Sequence, residues 1–467
     1  MILQLPAENT DSKGNIKMKK DKKNIIRIIG TGVITIAICL VLLFVSSMIP
    51  QKLIKENSVK SADYYSSQEL FVIKIDTFFF SRQDNYADCI LSNIIYHIDS
   101  KHPVISSLRA SYYQPELENV NVSFAEAVEK TVIPSVDYYR YWHGSMVLLR
   151  PLLMITDIIG VRLILGVLAI MLSVTAAILL WKQKEKELAV IYLVSLCLVD
   201  VWMICFCIEY VTTFLIMGAG AIFLIQKAGS KKENSVKSET QFIPMFLSIG
   251  IVTAFVDFLT TETITCTIPL FIIMVMLYHQ NKIQNIKEAM GIMLKNGIAW
   301  VTGYGSMFLL KWILSAAFFG TTALKESFAQ AALRMGGDVN LGVTNLSPTA
   351  TFSQRLAGAI WHNIGCLFHF KDRRNGGIII LITEIILFVI FCLVYLFHMG
   401  KISKTLYVPL GLLALLPYVR YLVLSNHAYL HYFFTYRAQL VTVMIILMFT
   451  WKNAITGIIK LCQKGKK

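Results

Sequence analysis

Apolar runs of about 20 residues recur along this chain, and a chain that repeats them has few folds open to it. Inside a bilayer the backbone N–H and C=O groups find no water. A spanning segment must therefore be a helix or belong to a closed barrel. Barrel strands are short and alternate apolar with polar residues, a pattern not seen here. The runs cover 25–48, 160–181, 188–208, 211–226, 242–259, 264–278, 297–320, 377–399, 406–423 and 440–458. The expected fold is an all-α polytopic membrane protein of about ten transmembrane helices.

The loops between the runs set the expected orientation. Every second one is rich in lysine: Lys182, Lys184 and Lys186; Lys227, Lys231, Lys232 and Lys237; Lys282, Lys287 and Lys295; Lys401 and Lys404; Lys460, Lys464, Lys466 and Lys467. Positive charge collects in cytoplasmic loops, so these face inward and both termini are cytoplasmic in a multi-pass protein of the cell membrane. The same rule accounts for the net charge of +15 without invoking nucleic acid as a partner. Residues 1–24 form a basic cytoplasmic tail and 25–49 an uncleaved first transmembrane helix. That run is too long for a signal-peptide core and no small-residue cleavage site follows it. Residues 50–158 form a large folded extracytoplasmic loop. A multi-helix transmembrane domain (159–458), with outer loops near 321–375 and 425–438, precedes a cytoplasmic tail (459–467). Of the nine cysteines, only Cys89 and Cys366 are expected to be exposed on the outer side, and no CxxC metal pattern occurs.

Within the first loop, Ser81-Arg-Gln-Asp84-Asn-Tyr-Ala-Asp88 stands out. Ser81-x-x-Asp84 reads as a capping box opening a helix over 84–98. Ser123-x-x-Glu126 opens a second, which Pro134 ends. Asp84 and Asp88, four residues apart, share one face of a helix. A carboxylate there can act as general base on an acceptor hydroxyl or hold a divalent cation, and it can equally serve as a cap or a solvated face.

Other expensive residues gather toward the same outer end. Asp157, Arg162, Asp200, Glu209, Asp257, Glu262, Lys311, Glu384 and Arg420 lie near outer span ends, and the inner halves carry almost none. Tyr138-Tyr-Arg140-Tyr-Trp-His143-Gly144, followed by Arg150, joins aromatics that stack on sugars to arginines that fork onto phosphate. It also fits an interfacial aromatic belt. Asn426-His427 through His431 to Arg437 has two histidines at i,i+4 but no HExxH and no third metal ligand, and phosphate binding by His431 and Arg437 suits it better. Lys311 can pair with Asp257 or meet a lipid phosphate. No Walker A, no strand-framed GxGxxG and no Gly-x-Ser-x-Gly elbow is present, so cytoplasmic nucleotide chemistry has no seat.

A signal anchor, a large acidic first outer loop and many further spans together resemble the GT-C superfamily of membrane glycosyltransferases. Gln83-Asp-Asn-Tyr-Ala-Asp88, Tyr141-Trp-His-Gly144 with Leu149-Arg-Pro151, Asp257-Phe-Leu-Thr260 and Asn426-His427 through Arg437 resemble a group of Gram-positive membrane proteins associated with surface-polysaccharide synthesis. The resemblance implies a polyprenyl-phosphate-linked sugar as donor and an extracytoplasmic glycan or lipid as acceptor. It implies Asp88, with Asp84, as base or cation ligand. Arg140, Arg150, Lys311, Arg420 and Arg437 become phosphate contacts, with His143, Asp257, His427 and His431 as further substrate contacts. No metal ligand set and no certain cofactor follow from it. GT-C enzymes usually place the acidic motif soon after the first span, whereas about 35 residues intervene here. A non-catalytic flippase of a lipid-linked glycan, or a polysaccharide polymerase or ligase, would share the outward site.

Overall fold

The computed structural model describes residues 10–75, 81–115, 119–230, 240–337, 350–367 and 404–450. Six described helices are long and apolar enough to cross a membrane: Lys22–Ser47, Ile158–Lys182, Ile208–Gly229, Ile286–Phe319, Thr405–Val423 and Tyr432–Thr450. The chain is thus an all-α membrane protein by length and composition of its helices. The run 377–399, Glu384, the tails 1–9 and 451–467, and the parts 338–349 and 368–375 of the loop 321–375 lie outside the described residues.

Three of the ten runs become helices too short for a span of their own. We label the elements in chain order. The first span belongs to α1 (Thr10–Ser47). The loop that follows holds α2 (Gln51–Ser66), the hairpin β1 (Phe71–Ile73) with β2 (Arg82–Asp84), α3 (Asn85–His97), α4 (Pro103–Arg109), α5 (Val120–Glu129) and α6 (Met146–Leu153). Next come α7 (Ile158–Lys182), α8 (Lys186–Leu198) and α9 (Ile208–Gly229), then α10 (Ile243–Val256), α11 (Ile264–His279), α12 (Ile286–Phe319), α13 (Thr321–Met335) and α14 (Phe352–Leu367). A 13-residue α8 and a 14-residue α10 reach only about 20 Å, short of a hydrocarbon core of about 30 Å. The apolar run 188–208 breaks because Asp200 takes a left-handed conformation (φ +53°) and the chain turns through Val201–Cys205 before α9 starts.

Burial sorts the helices into core and rim. Every residue of α11 from Ile264 to Leu277 is buried, so this short helix is sheathed by protein rather than lipid. The α9 and Tyr432–Thr450 windows are each 78% buried, against 17% for α1 and 22% for α12. The exposed faces of those two are Ile, Val, Leu and Phe, as a lipid-facing surface demands. The most extensive packing is α10 on α12. Gly250 and Gly303 permit it: a Cβ on Gly250 would lie 2.1 Å from the Trp300 carbonyl oxygen, and one on Gly303 2.2 Å from that of Leu247. Small residues let backbones meet where lipid offers no competing hydrophobic drive.

The region 50–157 is folded, and its local signals differ from the expected ones. Asp84 itself caps α3, accepting from the Ala87 N–H at 2.9 Å, while the Ser81 hydroxyl bonds the Ile75 backbone. Asn119, not Ser123, caps α5, and Ser123 lies inside the helix. Tyr65, Tyr96 and Phe124 pack edge-on at 6.2 and 6.3 Å between α2, α3 and α5. Cys89 and Cys366 are fully buried; among the described cysteines the exposed one is Cys197.

Candidate functional site

The loop helices are fastened to the membrane helices by polar side chains, and several sequence-selected residues do this work. Asp88 is wholly buried. Its Oδ2 accepts from Arg162 Nε at 2.8 Å, and its two oxygens take the first N–H groups of α9, Ile208 at 2.9 Å and Glu209 at 3.2 Å. It is therefore both ion partner and cap of an N-terminus whose free N–H groups favour a carboxylate. Arg162 also donates to Asn85 Oδ1 at 3.0 Å. Arg150, also fully buried, bonds the carbonyls of Ile49, Ile95 and Ile98 at 2.5–3.0 Å. Burial pushes it down to about 10, still charged at neutral pH. Lys311 Nζ donates to the Leu108 carbonyl at 2.7 Å and lies 5.5 Å from the Trp142 ring centroid. It does not pair with Asp257. Asp257 closes a turn on Thr260, taking its N–H at 3.1 Å and its hydroxyl at 2.5 Å.

A second set is buried without complete partners. Asp84 uses one oxygen as the α3 cap, and its carboxyl meets that of Glu209, whose Oε2 has no partner. Burial pushes Asp84 up to about 7, with Asp88 adding to the rise and the Ala87 N–H opposing it. Asp257 is likewise pushed up to about 7, by burial first and then by Glu262. Glu209 lies within electrostatic reach of Asp84, Asp88 and Asp257, so three elements (β2, α9 and the α10–α11 turn) bring acids toward one place.

Cations and imidazoles lie among the same elements, set against aromatic rings. Arg437 is 1% exposed, and its Nε and Nη2 have no partner among the described residues; its guanidinium lies 4.9 Å from the Tyr210 ring centroid and 4.7 Å from that of Tyr436. Tyr210 is the neighbour of Glu209 and donates to the Arg82 carbonyl at 3.0 Å, which ties this cation to the β2–α3 corner. Arg140 lies 3.7 Å from the Tyr138 ring centroid with its Nε unpartnered. His143 has φ +54° and sits among Tyr138 and Phe258 at 4.8 and 5.3 Å, with its ring close to the Tyr141 backbone and no side-chain partner for either nitrogen among the described residues. Burial, reinforced by Lys311 and Arg140, holds it neutral. His427 and His431 stack 4.7 Å apart, and burial pushes His431 down to about 3. Arg420 is bound by Glu262 at 2.8 and 3.2 Å and by two carbonyls, which leaves its Nη1 free.

The structure thus divides the eleven sequence-selected residues. Asp84, Arg140, His143, Asp257, Arg420, His427, His431 and Arg437 belong to this polar region, whereas Asp88, Arg150 and Lys311 are committed to partners within the fold. Sequence reasoning did not assign to the site Glu209 or Arg334, whose guanidinium lies 5.8 Å from the Tyr141 ring centroid. An acid at the start of an apolar run is itself a signal for Glu209; Arg334 carries none, because a single arginine in a polar stretch is unremarkable. No group of three or more His, Cys, Asp or Glu among the described residues fits a metal ion. Compared with protein-family models, characterised proteins and solved structures, the chain matches none.

Proposed function

We propose that this chain is a GT-C-type membrane glycosyltransferase, moving a sugar from a polyprenyl-phosphate-linked donor to an extracytoplasmic glycan or lipid acceptor during surface-polysaccharide assembly. In this reading the protein is multi-pass, both termini are cytoplasmic, and the polar region opens outward. The observation that carries it is the buried Asp84–Glu209 carboxyl pair, next to Tyr210, against whose ring lies Arg437, a cation without a carboxylate partner among the described residues. Two acids in contact share a proton readily, which suits a group that must take one up.

Asp84, ionised at and above about pH 7, takes the proton of the acceptor hydroxyl. The acceptor oxygen forms a bond to the anomeric carbon, the bond from that carbon to the phosphate oxygen breaks with inversion, and the polyprenyl phosphate leaves with the electron pair. Cationic groups stabilise the charge that develops on it. Aromatic rings around His143 offer faces for the sugar, and its neutral imidazole offers hydrogen bonds. The role of base moves here from Asp88 to Asp84, because Asp88 already satisfies Arg162 and the α9 N-terminus.

The test is transfer from a synthetic polyprenyl-phosphate sugar by purified protein in nanodiscs. Asp84→Asn and Glu209→Gln each lower the rate by about 10²–10⁴-fold while the protein stays folded. Full activity in both variants would remove the base and with it the proposal. Transbilayer movement of a labelled lipid-linked glycan without a new glycosidic bond would identify a flippase instead.

A further inference from the structure

We infer that Arg334, Arg420 and His427 form a binding site for a phosphoryl anion. The inference rests on the reading above in taking Arg420 and His427 as substrate contacts and adds Arg334 to them; an exporter of a phosphorylated lipid would use the same site.

The site is built by two anchoring networks. Arg420 is held rigid: Glu262 takes its Nε and Nη2, and the carbonyls of Leu259 and Thr260 add to Nη2. Leu259 adopts φ +67°, an unusual conformation for a branched residue. One edge of the guanidinium, Nη1, is left buried with no partner among the described residues. Arg334 is positioned from the other side. The Asn426 amide donates to the Leu333 and Gly337 carbonyls, both at 2.7 Å, and its oxygen accepts from Arg355 at 2.7 Å. These bonds pin the end of α13 to the short helix Ser425–Leu430, which carries His427. Gly336 (φ +129°) ends α13 there, in a conformation open to glycine.

Glu262 and Asp257 act on Arg420, and Arg334 has no such acid beside it among the described residues. Among the described residues no carboxylate pairs with Arg334; its Nη1 bonds the Gln330 carbonyl and side chain at 3.0 Å, and its Nε is buried without a partner. The charges of Arg334 and Arg420 both act on His427 and His431 and reinforce the burial that keeps these imidazoles neutral. His427 Nδ1 also lacks a partner. Two guanidinium edges and an imidazole nitrogen, buried together with Glu262 as the one acid bound to them, call for an anion with several acceptor oxygens. A phosphoryl group supplies these, and arginine forks match its geometry.

The experiment measures binding of inorganic phosphate and of dodecyl phosphate to the full-length protein, by thermal shift and 31P line broadening, in a zwitterionic detergent with dodecanol as the uncharged control. Dodecyl phosphate is expected to bind and dodecanol not. Arg334→Gln and His427→Asn each weaken binding about ten- to a hundredfold, the effect of losing a charge-assisted hydrogen bond. Arg420 is left intact because Glu262 would lose its partner. Binding of dodecyl phosphate alone marks the source as a lipid headgroup, and equal binding of inorganic phosphate marks a free anion; both support the site. No binding, or binding unchanged in both variants, overturns it. Neither result depends on transfer, so loss of this site and loss of the transferase reading are separable.

Discussion

At the scale of single residues, two aspartates one helical turn apart carry opposite burdens. Asp88 is bonded by Arg162 and by two backbone N–H groups. Breaking a buried pair from one side strands the other charge. Asp88→Asn is therefore expected to cost about 3–5 kcal/mol and to appear as low expression and a lowered Tm in detergent, before any assay of activity. Asp84 behaves differently with pH. Its ordinary value is 3.8, and in the folded chain it is raised to about 7. Between these values the folded chain binds more protons than the unfolded one, so stability falls as pH rises through that window and levels off above it. One such group contributes a slope of about 1.4 kcal/mol per pH unit. Asp84→Asn is expected to flatten the decline of Tm between about pH 4 and pH 7, with Asp257 sustaining the remainder. Transfer activity in the intact protein should rise as the pH passes through about 7 and reach half its maximum there. A Tm profile that Asp84→Asn leaves unchanged would count against its burial.

At the scale of elements, the same apolar letters produce spans and buried stubs. Hydropathy finds α1, α7, α9 and α12 because long runs bounded by lysines have one reading. It cannot separate α8, α10 and α11 from full spans, since a short helix sheathed by protein is as apolar as one in lipid. The interruption at Asp200 was visible as a charge but not as a turn, because its left-handed backbone depends on the chain around it. Caps were misread by similar logic: Ser81 and Ser123 fit the pattern of a cap, yet Asp84 and Asn119 occupy the geometry. Glycine contact between α10 and α12 makes a sharper prediction. Gly303→Ala places a methyl about where the Leu247 carbonyl oxygen stands. It should lower stability by about 1–3 kcal/mol through forced separation of the helices. Gly305→Ala, two residues on with open space at its Cβ, should leave the Tm unchanged or raised. The pair read together distinguishes packing from helix propensity.

At the scale of the whole molecule, the chemistry of the site was more legible than its wiring. Asp84, His143, Arg437 and their neighbours were selectable because polar groups beside a membrane need a reason. Their partners were not, since Asp88 and Arg162 are 74 positions apart and Asp88 and Glu209 are 121 apart. Only packing of the first loop onto α7 and α9 brings them together. That packing also fixes the molecule's polarity: the loop 50–157, the α10–α11 turn and the segment 425–437 share one end, while Glu185 and His279, paired at 2.8 Å, lie on loops that connect the other ends of the helices. If the first end faces outward, a cysteine there must react with a reagent that cannot cross the bilayer. Ile133 is 86% exposed and supplies the position; Lys184, exposed near the Glu185–His279 contact, supplies its opposite. In a background lacking the exposed Cys197, Ile133→Cys should label with a membrane-impermeant maleimide in intact cells, and Lys184→Cys only after permeabilisation. The reverse pattern would turn the acid pair and its cations toward the cytoplasm, where a sugar transfer onto an extracytoplasmic acceptor has no acceptor to meet.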